Sequence, residues 1–194
     1  LAGKHVFVEK PLAMNVEEGK ELIQLAHEAN KVLFVGHILQ YHPAIQVIKK
    51  LLKEGKLGRL QYIYSNRLNL GKFRREENIL WSFAPHDISV ILSLVQEEPI
   101  FIYAKGSNIL HPKTADSTLT HLKFACGVDA HIFVSWLHPF KEQKLVVIGD
   151  QQMVVFDDIA PIEKKLTLYP YSIQWGEEAP IPDKRDGIHL DLTE

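Results

Sequence analysis

The apolar positions of this chain fall first into a mixed helix-and-strand pattern and then, from Arg59 onward, mostly into a strand pattern. Val6-Phe7-Val8 is a short apolar run halted by Glu9-Lys10-Pro11. Pro11 cannot donate to a ladder and pushes Lys10 towards extended geometry, so the spacing predicts a strand ending at Glu9 with Lys10 at its C-terminal lip. Asn15 with Glu18 three residues on forms a capping-box signature, and Leu22, Ala26 and Ala29 line one face of a helix running to Asn30. Lys31–Ile38 reads as a second strand. The first 38 residues are therefore expected to be strand–helix–strand, the parallel unit of an α/β sheet. His42-Pro43 then opens a helix in which Ile45, Ile48 and Leu52 recur at helical spacing and Gly55 supplies the stop.

From Arg59, Leu60, Tyr62 and Tyr64 alternate with Gln61, Ile63 and Ser65, a strand with two unlike faces. Pro85–Val95 is expected as one more helix, since Ile88, Ile91, Leu92 and Val95 share a face. Strands then dominate: Ile100–Lys105, Ser117–Phe124, Val128–Trp136, Lys144–Ile148, Met153–Phe156 and Lys165–Tyr169. They are separated by turn signals at Cys126-Gly127, His138-Pro139, Gly149-Asp150 and Asp157-Asp158. Tyr171–Pro182 reads as loop, and Asp183–Glu194 is too short to assign. The expected class is α+β: the tail of a Rossmann-type parallel unit over 1–38, then a mostly antiparallel open sheet with helices on one face over 39–194.

Composition narrows the function. Lys and Arg number 22 against 24 Asp and Glu, a net charge of −2, which removes the electrostatic case for a nucleic-acid partner. The longest apolar runs, such as Ile100–Ala104, fall far short of the roughly 18 residues of a membrane span, so no membrane partner is expected. The single cysteine, Cys126, excludes an internal disulfide framework and suits a reducing cytoplasm. The chain starts on Leu1, its methionines are Met14 and Met153, and no signal-peptide pattern precedes the first strand. It is expected to be part of a longer protein.

Several residues could carry chemistry. Lys10, at the C-terminal end of a parallel strand, lies where open α/β sheets bind ligands; a surface lysine in a connection is the ordinary alternative. His86 follows Pro85 in what the pattern predicts as a first helical turn, where unpaired N–H groups favour a neutral imidazole able to act as general base. A simple helix-capping histidine is the alternative, and Asp87 either orients His86 or favours the helix start. Arg67 and Asn69 share one side of a strand at period 2 and, with Asn78, could hold a polyhydroxylated or anionic substrate. They could equally be surface polar groups. Trp81 walls a pocket or packs in the core. His111, His121, His131 and His138 are scattered without metal-ligand spacing, so no metal is expected. Cys126 lies in an expected hairpin turn with no evident base beside it. Neither G-x-G-x-x-G nor G-x-x-x-x-G-K-[ST] occurs.

Together these pieces resemble the Gfo/Idh/MocA family of NAD(P)-dependent sugar and polyol dehydrogenases. The run from Gly3 to Ala13, Gly-Lys-His-Val-Phe-Val-Glu-Lys-Pro-Leu-Ala, is similar to the family's G-K-H-V-x-x-E-K-P-x-A hallmark. Val35-Gly36-His37 with His42-Pro43-Ala44, and Phe124-Ala125-Cys126-Gly127-Val128 with Ser135-Trp136, resemble two further segments. The resemblance implies NAD or NADP as cofactor, with Glu9, Lys10 and Pro11 beside the nicotinamide, and Lys10 and His86 as catalytic residues. The family's D-x-x-x-H motif is altered: Ser82 stands where the aspartate is usual, and Asp87 cannot occupy the same place. The run Asn78–Asp87 is similar to members acting on nucleotide-activated amino sugars, implying oxidation at C3 with Arg67, Asn69 and Asn78 holding the sugar. A homo-oligomer paired through the open sheet is also implied. A non-catalytic sugar-binding or oligomerisation module, or a polyol dehydrogenase or ketoreductase of the same family, stands as the alternative. The chain by itself is expected to be inactive.

Overall fold

A computed structural model describes residues 3–71, 73–74, 77–177 and 179–192. Strand β1 (Val6–Val8) pairs in parallel with β2 (Leu33–Val35), Val6 opposite Leu33, across helix α1 (Val16–Glu28). Asn15 caps α1 as the capping-box pattern requires, its Oδ1 accepting from Glu18 N at 2.8 Å. No residue of α1 is buried, and Val6, Phe7, Ile23 and Val32 are exposed. Strand β2 is shorter than the expected 31–38, because a 3-10 turn over Ile38–Tyr41 begins the connection to the next helix.

Helix α2 (Pro43–Lys53) follows, with Pro43 at its first position and the His42 ring nitrogen accepting from Ala44 N. Strand β3 (Leu60–Leu68) leads to helix α3 (Ile79–Val95), and β4 (Pro99–Ser107), β5 (Ser117–Phe124), β6 (Asp129–Ser135), β7 (Glu142–Gly149), β8 (Gln152–Asp157), β9 (Leu166–Trp175), β10 (Pro180–Lys184) and β11 (Ile188–His189) complete the chain. These form a nine-stranded sheet in the order β10-β9-β8-β7-β3-β6-β5-β4, with β11 paired to β9. The β3–β6 pairing is parallel and every other pairing in this sheet is antiparallel. The α+β class is thus as expected, a mixed sheet preceded by a short parallel unit.

Two elements depart from the sequence reading. Tyr171–Pro182 is not a loop: β9 continues to Trp175 and pairs with β10, Trp175 opposite Pro180. Pro180 and Pro182 disguise β10, yet it is an edge strand, where a residue without an N–H is tolerated. Helix α3 begins two turns earlier than Pro85, capped by Asn78, whose Oδ1 accepts from Trp81 N at 3.1 Å. Pro85 is therefore inside the helix and His86 is not in its first turn.

The core lies between α2, α3 and one face of the sheet. Ile45 and Ile48 of α2 and Ile79 and Ile91 of α3 meet Ile63, Ile132, Val147 and Val154 of the strands. Ile63, Ser65 and Arg67 of β3 point to this covered side; Tyr62 and Tyr64 point to the other, where both meet the His131 ring. Among the described residues no helix is long and apolar enough to cross a membrane.

Candidate active site

The ends of β1 and β2 and the N-terminal half of α3 come together. Lys10, just past β1, donates from Nζ to the backbone carbonyl of Ser82 on α3 at 2.6 Å. The tie is to the Ser82 carbonyl, so it does not depend on the identity of the side chain at position 82. Gln40, between β2 and α2, makes a second tie, Nε2 to Ser89 O at 2.6 Å. Burial lowers the Lys10 pKa, opposed by Glu77 and assisted by the Arg74 and Arg67 charges. Such an ammonium, partly stripped of water, donates strongly to a developing negative charge.

His86 is half-buried one turn further along α3. Its pKa is lowered to about 4: burial is the largest cause, followed by the Arg67 and Lys10 cations, with Asp87 opposing and His37 assisting. The imidazole is thus neutral near pH 7, by burial and neighbouring cations rather than by a helix N-terminus. A neutral imidazole can take a proton from a hydroxyl. Its Nδ1 is buried without a hydrogen-bond partner, as is Nδ1 of His37.

Arg67 is brought towards this site but its guanidinium is committed. Nε and Nη2 donate to Oδ2 and Oδ1 of Asp87 at 2.8 and 3.1 Å. Burial alone would lower the Arg67 pKa, yet Asp87 outweighs it and holds it above its ordinary value. With its amide oriented to satisfy both ends, Gln143 accepts from Arg67 Nη1 and donates to Asp158 Oδ2, each at 3.2 Å. Asn78 uses its carbonyl oxygen as the α3 cap. Asn69, just beyond β3, is half-buried and its backbone N–H donates to Ser135 O. Trp81 does wall a cleft, of about 350 Å³, together with Pro11, Leu12, His37, Pro85 and Leu92.

The other candidates stay apart. His121 faces His131 across β5 and β6, while His111 and His138 lie in connections. Among the described residues no three His, Cys, Asp or Glu side chains gather as a metal site. Cys126 is exposed in the β5–β6 turn, its backbone N–H donating to Glu97. Sequence reasoning missed His37, Glu77 and Arg74. His37 stands inside the quoted Val35-Gly36-His37 segment without a role assigned to it, and nothing in spacing shows that Arg74 and Glu77, paired at 2.8 Å, act on Lys10.

Glu9–Pro11 and Gly36–His37 form one lip at the C-terminal ends of β1 and β2, where the sequence reading expects one end of a dinucleotide. A Cβ at Gly36 would lie 3.3 Å from the Glu9 carboxylate and the Phe7 ring, a tight approach that would push both side chains aside. The buried Nδ1 of His37 beside Pro11 is a polar atom in want of a partner.

Residues 45–155 match the family model described as GFO/IDH/MocA C-terminal domain, and residues 1–37 match that of an oxidoreductase family with an NAD-binding Rossmann fold. The chain is similar to the UDP-N-acetylglucosamine 3-dehydrogenase of Acidithiobacillus ferrooxidans, 35% identical over 135 residues covering 69% of this chain and 42% of that protein. A solved structure of an enzyme so named from that organism superposes with a TM-score of 0.74 at 25% identity, covering 98% of this chain and 59% of the other. A putative oxidoreductase from Magnetospirillum magnetotacticum gives a TM-score of 0.78 at 29% identity, with coverages of 87% and 54%. The chain thus spans about half the length of the relatives it matches.

Proposed function

The chain belongs to the GFO/IDH/MocA oxidoreductase family, and from that membership we propose that it is the lysine- and substrate-bearing part of an NAD- or NADP-dependent sugar dehydrogenase acting at C3 of a nucleotide-activated amino sugar. In this reading residues 1–38 are the end of a dinucleotide-binding domain, and residues 39–194 bind substrate and pair subunits. The observation that carries it is the 2.6 Å bond from Lys10 Nζ to the Ser82 carbonyl, which brings the lysine to the helix bearing a neutral His86. The nucleotide sugar is suggested by the relative at 35% identity.

Glu9, Lys10, Pro11 and His37 would hold the nicotinamide end of the cofactor, which when bound would supply a hydride acceptor. His86 takes the hydroxyl proton through Nε2, its Nδ1 being buried in the protein. Lys10 donates a hydrogen bond to the same oxygen and stabilises its charge as the C–O bond becomes a carbonyl. Asn69, with the amide nitrogen that Asn78 does not use in its cap, meets the other sugar hydroxyls. In the full-length protein, Lys10→Ala and His86→Ala should each lower kcat by about 10²- to 10⁴-fold with cofactor affinity kept. Near-normal turnover by His86→Ala would remove the base assignment, and turnover of free polyols but not UDP-N-acetylglucosamine would move the substrate class.

The uncovered sheet face is the proposed pairing surface of a homo-oligomer. Phe101 and Tyr103 of β4 and Leu119 of β5 are exposed on it, beside Tyr64 and Phe133. Light scattering at several concentrations should find an oligomer; a strict monomer would contradict the assignment.

A further inference from the structure

The turn of α3 that carries His86 has a weak point and a clamp. Pro85 has no N–H to return to the Trp81 carbonyl, and its ring crowds that oxygen, so the helix is poorly determined one residue before His86. The clamp comes from the sheet. Asp87, 4% exposed, receives Arg67 Nε at 2.8 Å and Nη2 at 3.1 Å, and Ser65 Oγ donates to it at 2.7 Å. Ser65 and Arg67 are two apart on β3, which is paired on both sides, by β6 and β7. One helical carboxylate is thereby tied at three points to the middle of the sheet. Stability is a weak reason for such a pair, because desolvation roughly cancels its attraction and apolar residues of the same shape would hold as well.

We propose that the Arg67–Asp87 pair is a positioning device for His86, fixing the rotation of this turn of α3 so that the imidazole and Lys10 meet the same substrate oxygen. This rests on His86 as the base. It removes Arg67 from the sugar contacts: its side chain is 11% exposed, and among the described residues its bonds go to Asp87 and Gln143.

The charges supply a signature that packing alone would not. His86 is faced by Arg67 from β3, Lys10 from the end of β1, His37 after β2 and Asp87 on its own helix. Arg67 disfavours the imidazolium and Asp87 favours it. The base works when neutral, so activity is lost as pH falls through the His86 pKa, about 4. Removing the Arg67 charge raises that pKa and moves the acid limb of kcat/KM up in pH. Removing the Asp87 charge moves it down.

The test uses the full-length protein with cofactor and sugar, reading the pH profile, kcat and KM, and the His86 titration by NMR. Arg67→Gln should shift the limb up and Asp87→Asn should shift it down, each lowering kcat by about 10- to 100-fold with sugar KM nearly unchanged. Arg67→Lys should return the limb towards its original position while kcat stays low, since the charge is restored without the fork. A raised KM with an unmoved limb would make Arg67 a substrate contact, and a lowered Tm with kcat and limb unmoved would make the pair structural; both overturn the proposal. Should the single variants not fold, Arg67→Gln/Asp87→Asn carries neither buried charge; the two limb shifts offset there, and an unchanged kcat in it would likewise overturn the proposal. His86→Ala separates the two readings. A limb that survives His86→Ala sinks the base assignment; one that vanishes there but stays fixed in the pair variants sinks only the positioning role.

Discussion

Helix α1 buries no residue, whereas α2 buries Ala44, Ile45, Ile48 and Leu51, and α3 buries residues from Ile79 through Leu94 along its length. Both halves of the molecule have strands and helices of good local sequence. Within this chain the β1–α1–β2 unit has two three-residue strands and exposes apolar side chains, with Phe7 stacked on Phe34 at 5.4 Å. The nine-stranded domain has two helices laid over one face and a continuous core. Local pattern therefore suffices to write an element, but only a second layer makes it stable. The candidate site straddles this divide: Lys10 belongs to the thin half and His86 to the thick one, and the Lys10–Ser82 bond bridges them.

The sharpest way to break this contrast is to delete the same side chain in both halves. Ile91 is fully buried and Ile23 is 58% exposed. Ile91→Ala should destabilise by about 2–5 kcal/mol, the transfer loss plus the cavity left behind. In this 194-residue chain, Ile23→Ala should change stability by less than about 0.5 kcal/mol. Urea denaturation followed by circular dichroism measures both. A comparable loss at Ile23 would show that α1 is packed under something in solution, and the contrast would fall.

Legibility in the sequence follows the same divide, inverted. In the thin half the start of α1 and the stop of β1 follow short-range signals, the Pro11 stop, the Asn15 cap and the Glu18 partner, while β2 spans Leu33–Val35 instead of the expected 31–38. The thick half was misread where long-range pairing overrides local preference. Pro85 is a fair helix-start signal by itself, yet the core face from Ile79 to Leu94 and the Asn78 cap carry the helix through it. Pro180 and Pro182 argue against a strand until β9 supplies a partner on one side only. The site divides likewise. Lys10 and His86 were named from position, but the Arg67–Asp87 bond spans twenty residues and no spacing rule predicts it. A signal for Arg67 did exist: it shares its face of β3 with Ile63, the buried face, which marks a side chain turned to the helices rather than to solvent.

A smaller and finer comparison uses one chemistry at two helix starts. Asn15 Oδ1 accepts from Glu18 N at 2.8 Å, and Asn78 Oδ1 accepts from Trp81 N at 3.1 Å. Each cap satisfies a backbone donor that the helix cannot, and its replacement by Ala typically removes about 0.5–2 kcal/mol. The loss reaches global stability only where the helix is coupled to the core. Asn78→Ala should therefore lower the unfolding free energy of the domain by about 1 kcal/mol, and Asn15→Ala should leave it unchanged while fraying α1 locally. The two variants also separate in function. Fraying at Asn78 loosens the turn whose Ser82 carbonyl receives Lys10, so kcat in the full-length protein should fall severalfold with little change in sugar KM. If Asn78→Ala instead raised KM and spared kcat, its amide would be gripping the sugar, and the cap would be the lesser of its two roles.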